Sequence, residues 1–277
     1  MASAALTDAR EGESRLAARN LRLAYDKRVV VDDLSIDLPD GGFTIIVGPN
    51  ACGKSTLLKA LARTLTPESG TVLLGGKPIT SYRSKAVARE LAMLPQSPIA
   101  PEAITVRDLI GRGRYPHQGL LQQWSHADEQ AVTDALASTG CVDLADRYVS
   151  ELSGGQRQRV WIAMVLAQQA DLLLLDEPTT FLDIAHQYEV LELCAALHNE
   201  GRTLVAVLHD LNQAARYATN LVVMKDGGIV ASGVPGEILT AELVHDVFGL
   251  SCVIIPDPVT GTPMVVPQAG RAGVTPD

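Results

Sequence analysis

Gly48-Pro49-Asn50-Ala51-Cys52-Gly53-Lys54-Ser55 fits G-x-x-x-x-G-K-[ST], the pattern of a phosphate-binding loop set between a strand and a helix. Both flanks are present. Thr44-Ile45-Ile46-Val47 before it is a short apolar, β-branched run, and Leu57, Leu58, Leu61 and Leu65 after it recur at helical spacing. Gly48 and Gly53 let the backbone curl into a nest of N–H groups around phosphate oxygens, with Pro49, Asn50, Ala51 and Cys52 as the body of the loop. Lys54 supplies a point charge for the β- and γ-phosphates, the Ser55 hydroxyl is placed for Mg²⁺, and Thr56 opens the helix beside them. Such a match arises by chance on the order of once in a hundred chains of this length, so the flanks decide it.

A second stretch, Leu152-Ser153-Gly154-Gly155-Gln156, is rarer, matching by chance in roughly a few chains per ten thousand. Ser153 and Gln156 form a capping box, and Val160, Ala163, Met164 and Ala167 make an apolar stripe behind it. A capped helix start with two glycines offers free N–H groups to a phosphate. A phosphate-binding loop and a distant LSGGQ in one chain resemble the ATP-binding cassette (ABC) ATPases, a branch of the P-loop NTPases. In that family the LSGGQ signature of one subunit covers ATP held by the phosphate loop of another. The resemblance therefore implies that Ser153, Gly154, Gly155 and Gln156 face nucleotide across a dimer.

Composition limits the remaining possibilities. The net charge of −9, with no basic run, argues against a nucleic-acid partner. Four widely spaced cysteines (Cys52, Cys141, Cys194, Cys252) contain no C-x-x-C pair, which fits a reducing cytoplasm rather than a disulfide framework or structural zinc. Residues 1–15 are small and polar and are expected to be disordered, without the apolar core of a signal peptide. Residues 268–277 are expected to be loose. No apolar run approaches the roughly 18 residues of a membrane span, so a soluble subunit is expected, peripheral on the cytoplasmic face, with any membrane role coming through partners.

Strand-like runs from Arg19 to Leu38 flank Asp26-Lys27-Arg28 as a hairpin. On pattern alone Tyr25 is explained as well by an apolar strand face as by stacking on adenine, the role that the family resemblance implies. Residues 70–74 and 91–94 read as strands with a helix at 84–90 between them, followed by Pro95-Gln96-Ser97-Pro98. Gln96 resembles the family's Q-loop glutamine, which reaches Mg²⁺ and the attacking water. Residues 98–165 read as a helical subdomain. Within it Gly111 to His117 is expected to be a partner-docking loop, and Asp128, Glu129 and Asp134 to be solvated.

Asp171 to Glu177 is a continuous apolar run ending in two carboxylates, the pattern of a parallel strand buried on both faces whose end meets a ligand crevice. Asp176 is assigned to Mg²⁺ and Glu177 to activation of water. By resemblance, Asp183 belongs to a loop linking the two sites of a dimer, and His209, at the end of strand 203–208, is the switch histidine contacting the γ-phosphate. Lys54, Gln96, Glu177 and His209 are thus the expected catalytic set, and Ser55, Gln96 and Asp176 the expected metal set. Cys52 stands where many relatives carry Gly or Ser, and a thiol beside the phosphates is expected to make activity sensitive to alkylation, with ATP protecting.

The resemblance covers about residues 16–267. It implies an α/β fold: a RecA-like, largely parallel sheet, an N-terminal antiparallel β subdomain and the helical signature subdomain. Its cofactors are ATP and Mg²⁺, and its working form is a head-to-tail dimer. Gly113 to His117, Glu177 to Gln187 and Asp257 to Pro263 resemble the iron-siderophore, haem and cobalamin importer ATPases, with the ferric enterobactin or ferric citrate type closest. Such importers pair two ATPases with two permeases, fed by a substrate-binding protein. Haem or cobalamin import, or a non-transport role like that of the iron–sulfur assembly ATPase, are the alternatives.

Overall fold

The computed structural model describes residues 14–26, 28–119 and 124–268. Strands β1 (Leu16–Tyr25), β2 (Arg28–Leu38), β3 (Phe43–Val47), β4 (Ser69–Leu74), β5 (Lys77–Pro78) and β6 (Leu91–Leu94) precede the helical region. After it come β7 (Leu172–Asp176), β8 (Thr203–Val207), β9 (Asn220–Lys225), β10 (Gly228–Gly233), β11 (Cys252–Pro256) and β12 (Pro263–Pro267). The main helices are α1 (Lys54–Leu61), α2 (Ser84–Glu90), α3 (Val106–Gly111), α4 (His126–Ser138), α5 (Gly154–Ala167), α6 (Ile184–Asn199), α7 (Leu211–Tyr217), α8 (Pro235–Ile238) and α9 (Ala241–Phe248).

The central sheet runs β10-β9-β3-β8-β7-β6, parallel except for the edge strand β10. Every residue of β3, β7 and β8 is buried, as expected of a sheet covered on both faces. The pleat divides these residues between two cores. Ile45, Leu173, Leu175 and Ala206 face the core that also holds the signature region, while Ile46, Leu172, Leu174 and Val207 face the core under α1 and the N-terminal sheet. Burying each of these leucines contributes about 1.5–3 kcal/mol. The N-terminal sheet is antiparallel, ordered β2-β1-β4-β5. Its first turn joins Tyr25 to Arg28 across Asp26, while Lys27 lies outside the described residues.

Helices α3, α4 and α5 pack together as the helical region, and α5 runs to Ala167. Capping boxes form at both predicted starts, Ser125 with Asp128 and Ser153 with Gln156. One expectation fails here: Asp128 is not solvated but buried, and Arg114 is buried against it, while Arg112 and Tyr115 of the same segment stay exposed. The Arg114 Nε donates to Asp128 Oδ1 at 2.9 Å, and its Nη1 donates to the Ala167 carbonyl (2.7 Å) and to Gln169 Oε1 (2.8 Å). A cap residue three positions into α4 thus doubles as the counter-ion of a buried guanidinium. Burial alone would raise the Asp128 carboxyl, but hydrogen bonds from Ser125 and Arg114 and the guanidinium charge outweigh it and hold it below its ordinary value.

The chain ends are better ordered than expected at their inner borders. Ser14 and Arg15 belong to the structured body rather than to a disordered terminus. The Ser14 hydroxyl donates to the carbonyls of Leu16 and Leu38, and Arg15 pairs with Asp40 at 3.2 Å. At the other end the Gln268 N–H donates to the Ser251 carbonyl (2.9 Å). The rest of both expected loose termini, 1–13 and 269–277, lies outside the described residues. Hairpin β11–β12 clips onto α7. Asn212 pairs through its amide with both backbone groups of Val265 (2.7 and 3.2 Å), and Arg216 pairs with Asp257 at 2.7 Å. Among the described residues no helix is long and apolar enough to cross a membrane.

Asp128→Ala strands the Arg114 charge and removes a cap, and is expected to cost about 3–5 kcal/mol in urea unfolding. Because the folded Asp128 carboxyl sits below its unfolded value, its contribution is complete above the unfolded value near about 3.9 and disappears as pH falls through the lower folded one. Wild type and Asp128→Ala should therefore converge in stability in strong acid.

Candidate active site

The strand order places four chain reversals side by side at the carboxyl edge of the sheet, where open parallel sheets bind ligands. Strand β3 leads into Gly48, β8 into Leu208-His209, β7 from Asp176 into Glu177, and β6 into Pro95-Gln96. Register keeps them level, since Val207 pairs with both Ile46 and Asp176, and Leu94 pairs with Leu175.

The phosphate-binding loop wraps tightly at Gly48. A Cβ there would come within 2.2 Å of the Met224 carbonyl oxygen. The loop enters α1 through Gly53, whose φ of +104° suits only glycine. The Lys54 ammonium spans the loop and donates to the carbonyls of Gly48 (2.8 Å) and Pro49 (2.9 Å). Next to it the Ser55 hydroxyl donates to Asp176 Oδ1 at 2.7 Å. The second oxygen, Asp176 Oδ2, is buried without a hydrogen-bond partner among the described residues. Burial raises the Asp176 carboxyl above its usual range, and the neighbouring Glu177 charge adds to this, against the Ser55 hydrogen bond. An orphaned buried carboxylate oxygen beside a hydroxyl is a hard-oxygen donor set suited to Mg²⁺ shared with phosphates.

Glu177 adopts φ +53°, a left-handed backbone unusual for a glutamate and of the kind that clusters at functional sites. Three groups hold its side chain. Gln96 Nε2 donates to Oε2 at 2.6 Å, the Thr180 hydroxyl donates to the same oxygen at 3.0 Å, and His209 Nε2 lies 2.8 Å from Oε1. Burial pushes this carboxyl up, but the His209 hydrogen bond and charge, then Thr180 and Gln96, prevail and set it below its ordinary value. It is a carboxylate at neutral pH, oriented on both oxygens, as a proton acceptor requires.

Two grooves open onto this cluster. One, of about 360 Å³, is lined by Tyr25, Arg28, Val30, Asn50, Ala51, Gly53 to Thr56, Glu177 and His209. Tyr25 is 45% exposed there, unlike Leu21 and Leu23, which are buried. The other groove, of about 840 Å³, adds Gly48, Pro49, Gln96, Val247 and Phe248. Cys52 departs from expectation. Its thiol is 5% exposed, packs into the core under α1 with its sulfur 4.0 Å from Lys54 Nζ, and is pushed up by burial.

Ser153, Gly154, Gly155, Gln156 and Asp183 line neither groove. They gather on a separate edge. A Cβ on Gly154 would sit 3.8 Å from Leu182 Cδ2, and one on Gly155 would strike the His186 ring at 2.2 Å. Asp183 caps α6 and accepts from both the His186 N–H (3.0 Å) and its Nδ1 (2.6 Å). Thr180 and His186 were not found by sequence reasoning. Thr180 lies three residues past Glu177, and His186 three past the Asp183 cap, a spacing at which side chains meet and which would have flagged both.

The ABC transporter family profile matches residues 31–180, more than half of the chain. The chain belongs to the ABC transporter ATP-binding family. It is an ATPase. It is 55% identical to the ferric enterobactin transport ATP-binding protein FepC of Escherichia coli (strain K12), covering 96% of this chain and 98% of that one. It is 52% identical to the probable siderophore transport system ATP-binding protein YusV of Bacillus subtilis (strain 168), covering 93% and 94%. The cobalamin import ATP-binding protein BtuD of Halobacterium salinarum (strain ATCC 29341 / DSM 671 / R1) is 40% identical, with 90% of this chain matched to 62% of that one. Among solved structures, an inward-facing metal-chelate-type ABC transporter superposes with TM-score 0.79 at 30% identity, covering 92% of this chain and 98% of that one. The dimeric cassette MJ0796 superposes with TM-score 0.70 at 23% identity, over 79% and 98%, and supports the α/β cassette fold alone.

The buried thiols give one test of this geometry. Maleimide applied to the folded ATPase at neutral pH should leave Cys52 unmodified by mass spectrometry, with labelling only after denaturation. The Glu177 environment gives another. Held below its ordinary value, the Glu177 carboxyl should stay ionised as pH falls through the ordinary glutamate range, followed by NMR of the ¹³C-labelled carboxyl. His209→Gln removes the hydrogen bond and charge that lower Glu177 and should move this titration upward.

Proposed function

We propose that this ATPase energises a ferric-siderophore importer, working as a head-to-tail pair bound to two permease subunits at the inner face of the membrane and supplied by an external binding protein. The observation that carries the hydrolytic part is Glu177, ionised at neutral pH and gripped by Gln96, Thr180 and His209 one residue beyond the Asp176–Ser55 pair. The likeness to ferric enterobactin and siderophore transport ATP-binding proteins over nearly the whole chain supports the substrate, and favours it over cobalamin, haem or iron–sulfur assembly.

In this reading Tyr25 stacks on adenine, and the backbone of Gly48 to Gly53 with Lys54 and Thr56 receives the phosphates. Ser55, Asp176 and Gln96 would hold Mg²⁺, which when bound supplies charge neutralisation on the phosphate oxygens. Glu177 accepts the proton of the attacking water, while His209 and Gln96 fix the direction of its carboxylate. The signature residues Ser153, Gly154, Gly155 and Gln156, with Asp183, line neither groove of their own chain, and in this reading they serve the nucleotide of a second copy.

Glu177→Gln should bind ATP, lose about 10²–10⁴-fold in hydrolysis and accumulate as a closed dimer. In cells whose sole copy carries Glu177→Gln, uptake of radiolabelled ferric siderophore should vanish and return with the wild-type chain. Undiminished uptake would refute the assignment, and loss of cobalamin or haem uptake instead would reassign the substrate.

A further inference from the structure

Phe181 is 90% exposed, in a chain with three phenylalanines. It is also held at φ +65°, where a bulky side chain is an outlier. The loop fixes it there from both sides. The Thr180 N–H donates to the Glu177 carbonyl (3.2 Å), the Leu182 N–H donates to the Thr179 carbonyl (3.4 Å), Leu182 packs against the core, and Asp183 caps α6. The Phe181 carbonyl lies 3.9 Å from where a Gly154 Cβ would stand, so this residue's backbone sits beside the signature. Ile184, 72% exposed, extends the apolar surface. Strained residues cluster at functional sites, and a large ring held in solvent at such a position points to a contact made outside this chain.

The matching surface lies at the other edge. The 840 Å³ groove at the nucleotide end carries Val247 and Phe248, from the end of α9, beside Pro49, Asn50, Ala51 and His209. Val247 belongs to the core and Phe248 packs half-buried against it, which leaves an apolar wall beside the phosphate-binding loop. If the signature of one copy covers the phosphate-binding loop of another, Phe181 arrives at this groove with it, because the signature and Phe181 share one edge.

We propose that Phe181 of one copy seats in the groove of the other, against Val247 and Phe248 and next to His209, as the pair closes. This rests on the head-to-tail pairing proposed above and assigns an aromatic anchor to it. Each cassette then contributes an apolar plug as well as phosphate ligands, and closing over nucleotide buries a ring that is solvated in the separate chain.

The test uses the full-length chain in the Glu177→Gln background with Mg-ATP, with dimer formation followed by sedimentation across protein concentration. Adding Phe181→Ala should raise the concentration for half-dimerisation about tenfold or more, while Phe181→Tyr leaves it near the parent value. ATP binding to the monomer and its Tm should stay unchanged, since the ring is exposed there. Phe248→Ala should weaken the dimer comparably, and the double variant should lose less than the sum of the two, as contacting residues do. Where Phe248→Ala lowers the monomer Tm, Phe248→Leu takes its place. Undiminished dimerisation of the Phe181→Ala variant, or strictly additive losses, overturns the anchor while leaving the pairing intact. A Glu177→Gln chain that stays monomeric with Mg-ATP overturns the pairing, and the anchor falls with it.

Discussion

The register of four parallel strands is the constraint on which the rest of the molecule depends. Backbone hydrogen bonds pair Ile46 and Asp176 with Val207, and Leu175 with Leu94, so β3, β8, β7 and β6 end at one level. Each then delivers a different chemical group to the same edge: a phosphate nest, an imidazole, two carboxylates and an amide. A shift of one residue in any strand would exchange its two faces and bury the wrong set. The division of alternate leucines and valines between two separate cores makes such a shift costly, so precision at the site is inherited from packing well away from it.

Division of labour is the second organising fact. The grooves hold the groups that receive and hydrolyse nucleotide, while the signature and Asp183 sit together on another edge, joined through Leu182 and His186. In the proposed head-to-tail pairing each site is completed by the other copy, so hydrolysis would be tied to association.

Much of this was legible in the sequence, for identifiable reasons. The central strands are uninterrupted apolar runs, the glycine-rich loop joins a strand to a helix, and Ser125 and Ser153 announce their helices by capping chemistry that depends on three neighbouring residues. The groups meeting Glu177 fall at the ends of successive strands, where parallel topology brings them together. What escaped depends on partners remote in sequence. Nothing near Asp128 marks it as the counter-ion of Arg114, and nothing near Cys52 says that its thiol turns inward under the loop. The spacing of His186 from Asp183 marks that pair, but nothing near His186 marks its contact with Gly155 on another helix.

The position of β3 has a consequence for how the chain is made. This strand, fully buried and apolar, pairs only with β8 and β9, which are encoded much later. On the ribosome it emerges early and must wait, with both edges unpaired, while α1, the N-terminal sheet and the whole helical region are synthesised. The N-terminal hairpin closes locally and shields part of one face, but the nucleotide end cannot form until the strands beyond Leu204 have left the exit tunnel. The nascent chain is therefore a natural client for chaperones, and truncated products ending in the helical region carry an unsatisfied apolar strand that marks them for aggregation or degradation.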